Sequence, residues 1–175
     1  MKALKNNPTV TFGYDHDSIL YDAKDFKDIE LINIDHHDDV FHGMGDPEYE
    51  YDLVTKHNLI NEGNWGIWLH SVGRLKSFTW IGNKNSNNKS RNKINYEYLN
   101  GNYINVEKEN YKFEDYNFDH IFVCLSPQYI PPQYWHYFAM FINTYEHFTG
   151  KDAKIITRKF ETDVRHLSIN NEILH

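Results

Sequence analysis

The chain has 175 residues, 25 acidic against 18 basic side chains, a formal charge of −7 and a mean hydropathy of −0.72. That length suits one domain with its own core, spanning residues 1–175, and the acidity excludes nucleic-acid backbone or an anionic membrane surface as the main partner while suiting a cationic one. A single cysteine, Cys124, rules out an internal disulfide and a cysteine-based zinc knuckle. Residues 1–8 have no apolar signal core and no stretch approaches a membrane span, so a cytoplasmic location is expected.

In chain order, Thr9 to Tyr14 reads as a first strand, followed by Asp15-His16-Asp17-Ser18. His16 is either a turn residue with Asp15 and Ser18 as local caps or a metal ligand delivered by the strand. Ile19 to Ile29 is compatible with a helix or a hairpin. The organising stretch is Glu30 to Asp39, in which an aliphatic run (Leu31, Ile32, Ile34) stops at Asp35-His36-His37-Asp38-Asp39. A short aliphatic run closed by a polar cluster predicts a buried strand in a central sheet, with the cluster just past its carboxyl end, where open α/β sheets bind ligands. Alternation along an extended chain would turn Asp35, His37 and Asp39 to one side. Two carboxylates and an imidazole suit Mn²⁺, Zn²⁺ or Fe²⁺ better than Ca²⁺. The competing reading is a solvated acidic loop.

Phe41 to Pro47 forms a Gly/Pro loop able to lie over this cluster. His42 within it is either a proton shuttle or an exposed loop histidine. From Glu62, the spacing of Trp65, Trp68, Val72 and Leu75 predicts an amphipathic helix. At its start, Glu62 can cap the helix, bind a metal or hold a cationic substrate head, and Asn64 shares that choice between structure and site. Ser77 to Ile81 reads as a strand, and residues 82–93 as a mobile, basic, low-complexity surface loop. Asn100-Gly101 predicts a hairpin within Tyr96 to Val106. Asp119 to Pro127 is a second buried strand carrying Cys124, read as a small core residue rather than a nucleophile. Pro131-Pro132 leads into a helix from about Gln133 to Phe148, stopped by Gly150, and Ile155 to Phe160 reads as a last strand. Repeats, a Gly-rich phosphate loop and a serine-hydrolase elbow are all missing.

A strand followed by Asp35-x-His37-x-Asp39 resembles the signature of the arginase–agmatinase (ureohydrolase) fold. Gly13-Tyr14-Asp15-His16-Asp17-Ser18 is similar to that family's Gly-Gly-Asp-His-Ser with one residue inserted. Where the family has a strand ending in Asp-x-Asp, this chain has Val123-Cys124-Leu125-Ser126-Pro127-Gln128, with Ser126 and Gln128 roughly in place of the carboxylates. Asp35 to Asp39, Glu62-Gly63-Asn64-Trp65 and Leu125-Ser126-Pro127 together resemble a short branch of the fold, the uncharacterised-protein family UPF0489, whose best-understood members are peptide arginases.

The resemblance implies a compact three-layer α/β fold of the arginase/deacetylase kind with a mostly parallel central sheet. It implies a Mn²⁺-dependent hydrolase, with one or two ions, that converts arginine residues of a ribosomal precursor peptide to ornithine and urea. His16, Asp35, His37 and Asp39 would be the metal ligands, and Asp15, Asp17, Asp38, Asp46 or Glu62 would have to complete a second site. Glu62, Asn64, Asp46 and Ser126 would contact substrate, and Glu62 and His42 would serve the chemistry. Two other readings compete. One is a DHH-type phosphoesterase, on the match of Asp35-His36-His37 and Asp15-x-Asp17-Ser18. The other is a non-catalytic, degenerate ureohydrolase-like binding module.

Overall fold

The aliphatic runs all become strands of one sheet. The computed structural model describes residues 8–41, 46–82, 92–107, 112, 118–128 and 130–157. Among them β1 (Thr9–Gly13), β2 (Ile29–Ile34), β3 (Leu75–Gly82), β4 (Tyr103–Glu107), β5 (His120–Cys124) and β6 (Lys154–Ile156) pair in the order β4-β3-β2-β5-β1-β6, every pair parallel. A parallel sheet needs crossovers that cover its faces. These are supplied by a 3₁₀ turn (His16–Ile19) running into α1 (Leu20–Ala23), then α2 (Pro47–His57), α3 (Trp65–Ser71), α4 (Asn92–Tyr98) and α5 (Trp135–Thr149).

Side-chain alternation along the strands divides the core in two. Leu31, Phe78, Trp80 and Phe122 face one way and pack with Leu20 of α1, Val54 of α2, Trp65 of α3 and Leu99 just past α4. Their neighbours Ile32, Ile81 and Ile121 face the other way, with Phe118. On that second side lies α5, whose Phe138 and Tyr145 meet the ring of Phe12 edge-on, each at 5.8 Å between centroids. The result is a three-layer α/β fold.

The winding decides where a site can form. After β1 the chain skips one position to place β2, steps outward to β3 and β4, then returns to insert β5 between β1 and β2. Finally β6 is added beyond β1. The winding thus reverses around β5, and the crevice at such a reversal, outside the carboxyl ends of the strands, is where open α/β sheets bind ligands. Residues 14–18, 35–39 and 125–128 all leave the sheet there.

Several local expectations give way to longer-range constraints. Asn100-Gly101 does not join a hairpin. Both residues have positive φ (52° and 80°), ending α4 and turning the chain into the parallel strand β4. The stripe read as one helix through Leu75 is cut at Ser71, with Val72 as an exposed C-cap. Gly73 follows at φ 72°, so Leu75 opens β3 instead. Helix α2 begins at Asp46-Pro47, an N-cap and first-turn proline pair, with the Asp46 carboxylate accepting from the Glu48 amide at 3.1 Å. Residues 92 and 93, assigned above to the basic loop, open α4, while 83–91 lie outside the described residues. Ile19 to Ile29 resolves into the 3₁₀ turn, α1 and the start of β2.

Candidate metal centre

Three strand ends build the centre. β1 stops at Gly13, where no side chain fits, because an added Cβ would lie 2.5 Å from the Phe122 ring and 3.0 Å from the Ser18 Cβ. The next turn is held by the Asp15 amide donating to Ser18 Oγ at 3.1 Å, so the local capping read from the sequence is present. That turn also carries His16 inward. Its Nδ1 stands 2.8 Å from an Asp35 oxygen and 3.0 Å from an Asp39 oxygen, all three side chains at most 5% exposed. The two polar clusters therefore meet although their strands are not neighbours; β5 stands between them and they close over its end.

Past Ile34 the chain is no longer a strand, and the alternation expected of Asp35, His37 and Asp39 does not apply. Residues 35–39 wrap into a bend around the buried Asn33. The Asn33 amide reaches the carbonyl of His37 at 3.4 Å, and the Trp80 indole N–H donates to the carbonyl of Asp35 at 3.0 Å. Asp39 sits at φ 56°, and its carbonyl accepts the Gly66 amide at 2.9 Å. A Cβ on Gly66 would lie only 3.1 Å from that carbonyl, so the glycine permits the contact. The bend brings Asp35 and Asp39 back onto His16. His37 is left half-buried, its ring centroid 6.1 Å from that of His16.

Cys124 completes the cluster, a role the sequence reading did not give it. β5 runs in register with both neighbours, Cys124 opposite Gly13 and Val123 opposite Ile34, so Cys124 leaves the sheet level with Asp35. One ligand atom from each of His16, Asp35 and Cys124 lies within 4.8 Å of the others. The Cys124 thiol also lies 3.1 Å from Ser126 Oγ. Nitrogen, carboxylate oxygen and sulfur in that space are a workable donor set for a first-row divalent ion, and the sulfur moves it towards Zn²⁺. The signal for Cys124 was its place, with Ser126 two residues on, at the carboxyl end of an aliphatic strand.

The electrostatics match. Burial alone would depress the His16 imidazole, but Asp39 and Asp35 outweigh it and hold the pKa up at about 11. Asp39 is raised from the ordinary carboxylate range by complete burial, against the pull of His16. Burial, and then the neighbouring Asp35, also push the Cys124 thiol up. His37 is lowered by burial and by His36 beside it. Both shifts, upward at His16 and at Asp39, favour the protonated forms when no cation is present, and a bound cation reverses such preferences.

The remaining residues singled out from the sequence fall elsewhere. Asn64 is buried in its own loop, donating to the Leu59 carbonyl at 3.2 Å and accepting the Asn61 amide at 2.7 Å, and it is the N-cap of α3. Glu62 therefore does not cap that helix. Its carboxylate accepts the Gln128 side-chain amide at 2.7 Å, bridging the loop before α3 to the loop after β5. Asp46 is exposed and engaged as the cap of α2. Ser126 is buried at φ 52°, against Cys124. Asp38 turns into the core, where it accepts Asn95 Nδ2 at 2.6 Å, the Tyr103 hydroxyl at 3.3 Å and the Val40 amide at 3.2 Å. His42 lies outside the described residues.

Compared with protein-family models, with curated proteins and with solved structures, the chain matches none of them.

Proposed function

We propose that the chain is a metal-dependent hydrolase of guanidino C–N bonds, acting on arginine residues of a peptide. The observation that supports this best is the His16 imidazole, buried between Asp35 and Asp39 at the reversal of the sheet with the Cys124 thiol alongside. His16, Asp35, Asp39 and Cys124 would hold the ion. When bound, such an ion lowers the pKa of a water towards ~7, which a poor electrophile such as a guanidinium carbon requires. Mn²⁺ is the ion implied by the ureohydrolase resemblance, and the thiol is a specific reason to test Zn²⁺ beside it.

The reaction adds water across one bond. A new C–O bond forms at the guanidinium carbon, and the bond from that carbon to the chain nitrogen breaks. Urea leaves, and both protons of the added water end on the chain nitrogen, which departs as the ornithine ammonium. Carboxylates have two tasks, orienting the planar cation and stabilising the tetrahedral centre that forms from it. Glu62 suits the first, since its carboxylate already receives an amide N–H pair member from Gln128 and a guanidinium offers the same kind of donor. The half-buried His37, its pKa lowered by burial, can accept a proton given up by the attacking water and pass it to the leaving amine. A net charge of −7 attracts a basic peptide.

The test is metal analysis with a product assay. Protein loaded with Mn²⁺ or with Zn²⁺ is offered free arginine, agmatine and arginine peptides, and urea and the Arg-to-Orn mass loss are measured. Asp35→Ala and Asp39→Ala should abolish both metal retention and urea release. Metal retention without urea from any of these would refute the reading, and phosphodiester cleavage by the same protein would replace it.

A further inference from the structure

Between the second face of the sheet and α5 lies a cavity of about 770 Å³, within the range of small-molecule and peptide side-chain sites. Its floor is aliphatic, from strand residues such as Val10 and Val123, and its roof is the inner side of α5. No residue of α5 is fully buried, although the helix is rich in aromatics; Tyr137 and Phe141 line the cavity and are each more than half exposed, at 53% and 61%. The cavity is therefore reachable from solvent. At one end its lining includes Cys124, the residue that also belongs to the metal cluster.

We infer that this cavity binds the large apolar residues flanking the arginine of a peptide substrate, an inference that rests on the function proposed above. Two observations select that occupant. The first is continuity, since one residue, Cys124, belongs both to the lining of the cavity and to the cation cluster, so a ligand filling the cavity lies against the strand end that carries the centre. The second is complementarity, since an acidic cluster beside an apolar chamber fits a segment with a cationic side chain next to aliphatic or aromatic ones. Free arginine would leave the chamber empty, and binding energy from such remote groups raises discrimination between substrates.

The test compares two peptides of equal length and charge, one with leucine and phenylalanine around a single arginine and one with serine and glycine there. Binding to the full-length metal-loaded protein is measured by calorimetry, and turnover by urea release. The apolar peptide should bind about tenfold or more tightly, with a correspondingly lower KM and a kcat within a few-fold. Thr144→Trp, which fills the chamber from an exposed helix position, and separately Phe141→Ser should each bring the apolar peptide down to the affinity of the polar one. Equal affinities in the unmutated protein would overturn the inference. So would self-association of the chain abolished by Phe141→Ser, which would assign this face to a second copy. If neither peptide yields urea but the affinity difference persists and is lost in Thr144→Trp, the cavity assignment stands and the proposed reaction falls.

Discussion

The Trp65 indole N–H donates at 3.2 Å to the Asp39 oxygen that also faces His16, so one side chain serves both the core and the centre. Trp65 is fully buried, with its ring against Phe78 and Phe122. Trp65→Phe keeps an aromatic group there but removes the donor and leaves a small void. Denaturant unfolding should show a loss of about 1–3 kcal/mol. Metal affinity should fall ~10- to 100-fold, because Asp39 loses the partner that orients it. Unchanged metal affinity with reduced stability would show that the indole acts through packing alone.

Gly13→Ala tests the floor of the centre. The Phe122 ring occupies the space a methyl group would need, and it is itself buried and packed on Trp65. Overpacking of this kind costs about 1–3 kcal/mol. Because residue 13 leads directly into His16, the same substitution should weaken metal binding more than a stability-matched change in β4. Equal effects from both would count against the coupling.

What the sequence made legible, and what it did not, follows from the range of each constraint. An aliphatic run ending in acidic residues and histidines marks a strand end through local chemistry alone, and this is how Asp35, Asp39 and His16 were recognised. The hairpin at Asn100-Gly101 failed for a complementary reason. The dipeptide specifies only positive φ, and whether that joins two antiparallel strands or ends a helix depends on the residues before it. Cys124 was read as core because its neighbours in sequence are apolar. Its place beside Asp35 exists only because β5 inserts between β1 and β2, a matter of strand order that no local pattern encodes. Period-two reasoning does not extend to His37, since the strand ends at Ile34 and the bend that follows has its own geometry, with the His37 ring 6.1 Å from that of His16.

Asp38 ties this bend to α4 and β4 through Asn95 and Tyr103. Asp38→Ala leaves the buried Asn95 amide and the Tyr103 hydroxyl without that acceptor, which should cost about 2–4 kcal/mol. Tyr103→Phe removes a single donor and should cost only ~1 kcal/mol. Metal binding should survive Tyr103→Phe. If Asp38→Ala proved as mild as Tyr103→Phe in thermal unfolding, the network would not be holding the bend.

A second buried polar group sets an acid limit away from the centre. Burial pushes His120 down to about 4; Asp22, whose carboxylate is 3.7 Å from Nε2, pulls the other way, and Lys154, ion-paired to Asp22, adds to the depression. Thr11 Oγ1 also donates to Asp22, and the Phe26 ring lies over the imidazole at 4.9 Å. The folded state therefore disfavours protonation relative to the unfolded chain, whose histidine titrates near 6.5. Stability from this source is present above pH ~6.5 and is lost as the pH falls towards ~4. His120→Gln should flatten the decline measured over that window relative to the parent protein. Parallel curves would rule out His120 as its origin.

The identity of the ion turns on Cys124. An imidazole and two carboxylates alone would accept Mn²⁺ readily, whereas a thiolate adds far more to Zn²⁺ binding than to Mn²⁺ binding. Cys124→Ser keeps the size and the contact to Ser126 while replacing sulfur by a harder, weaker donor. In competition titrations Zn²⁺ affinity should fall by at least about tenfold and Mn²⁺ affinity should stay within about threefold. Equal losses for both ions would mean that the side chain supports the fold of the strand end and leaves the donor set to His16, Asp35 and Asp39. A Zn²⁺-specific loss would make the thiol a ligand. The chain's preferred ion would then follow from one atom on a strand inserted between the two that carry the other donors.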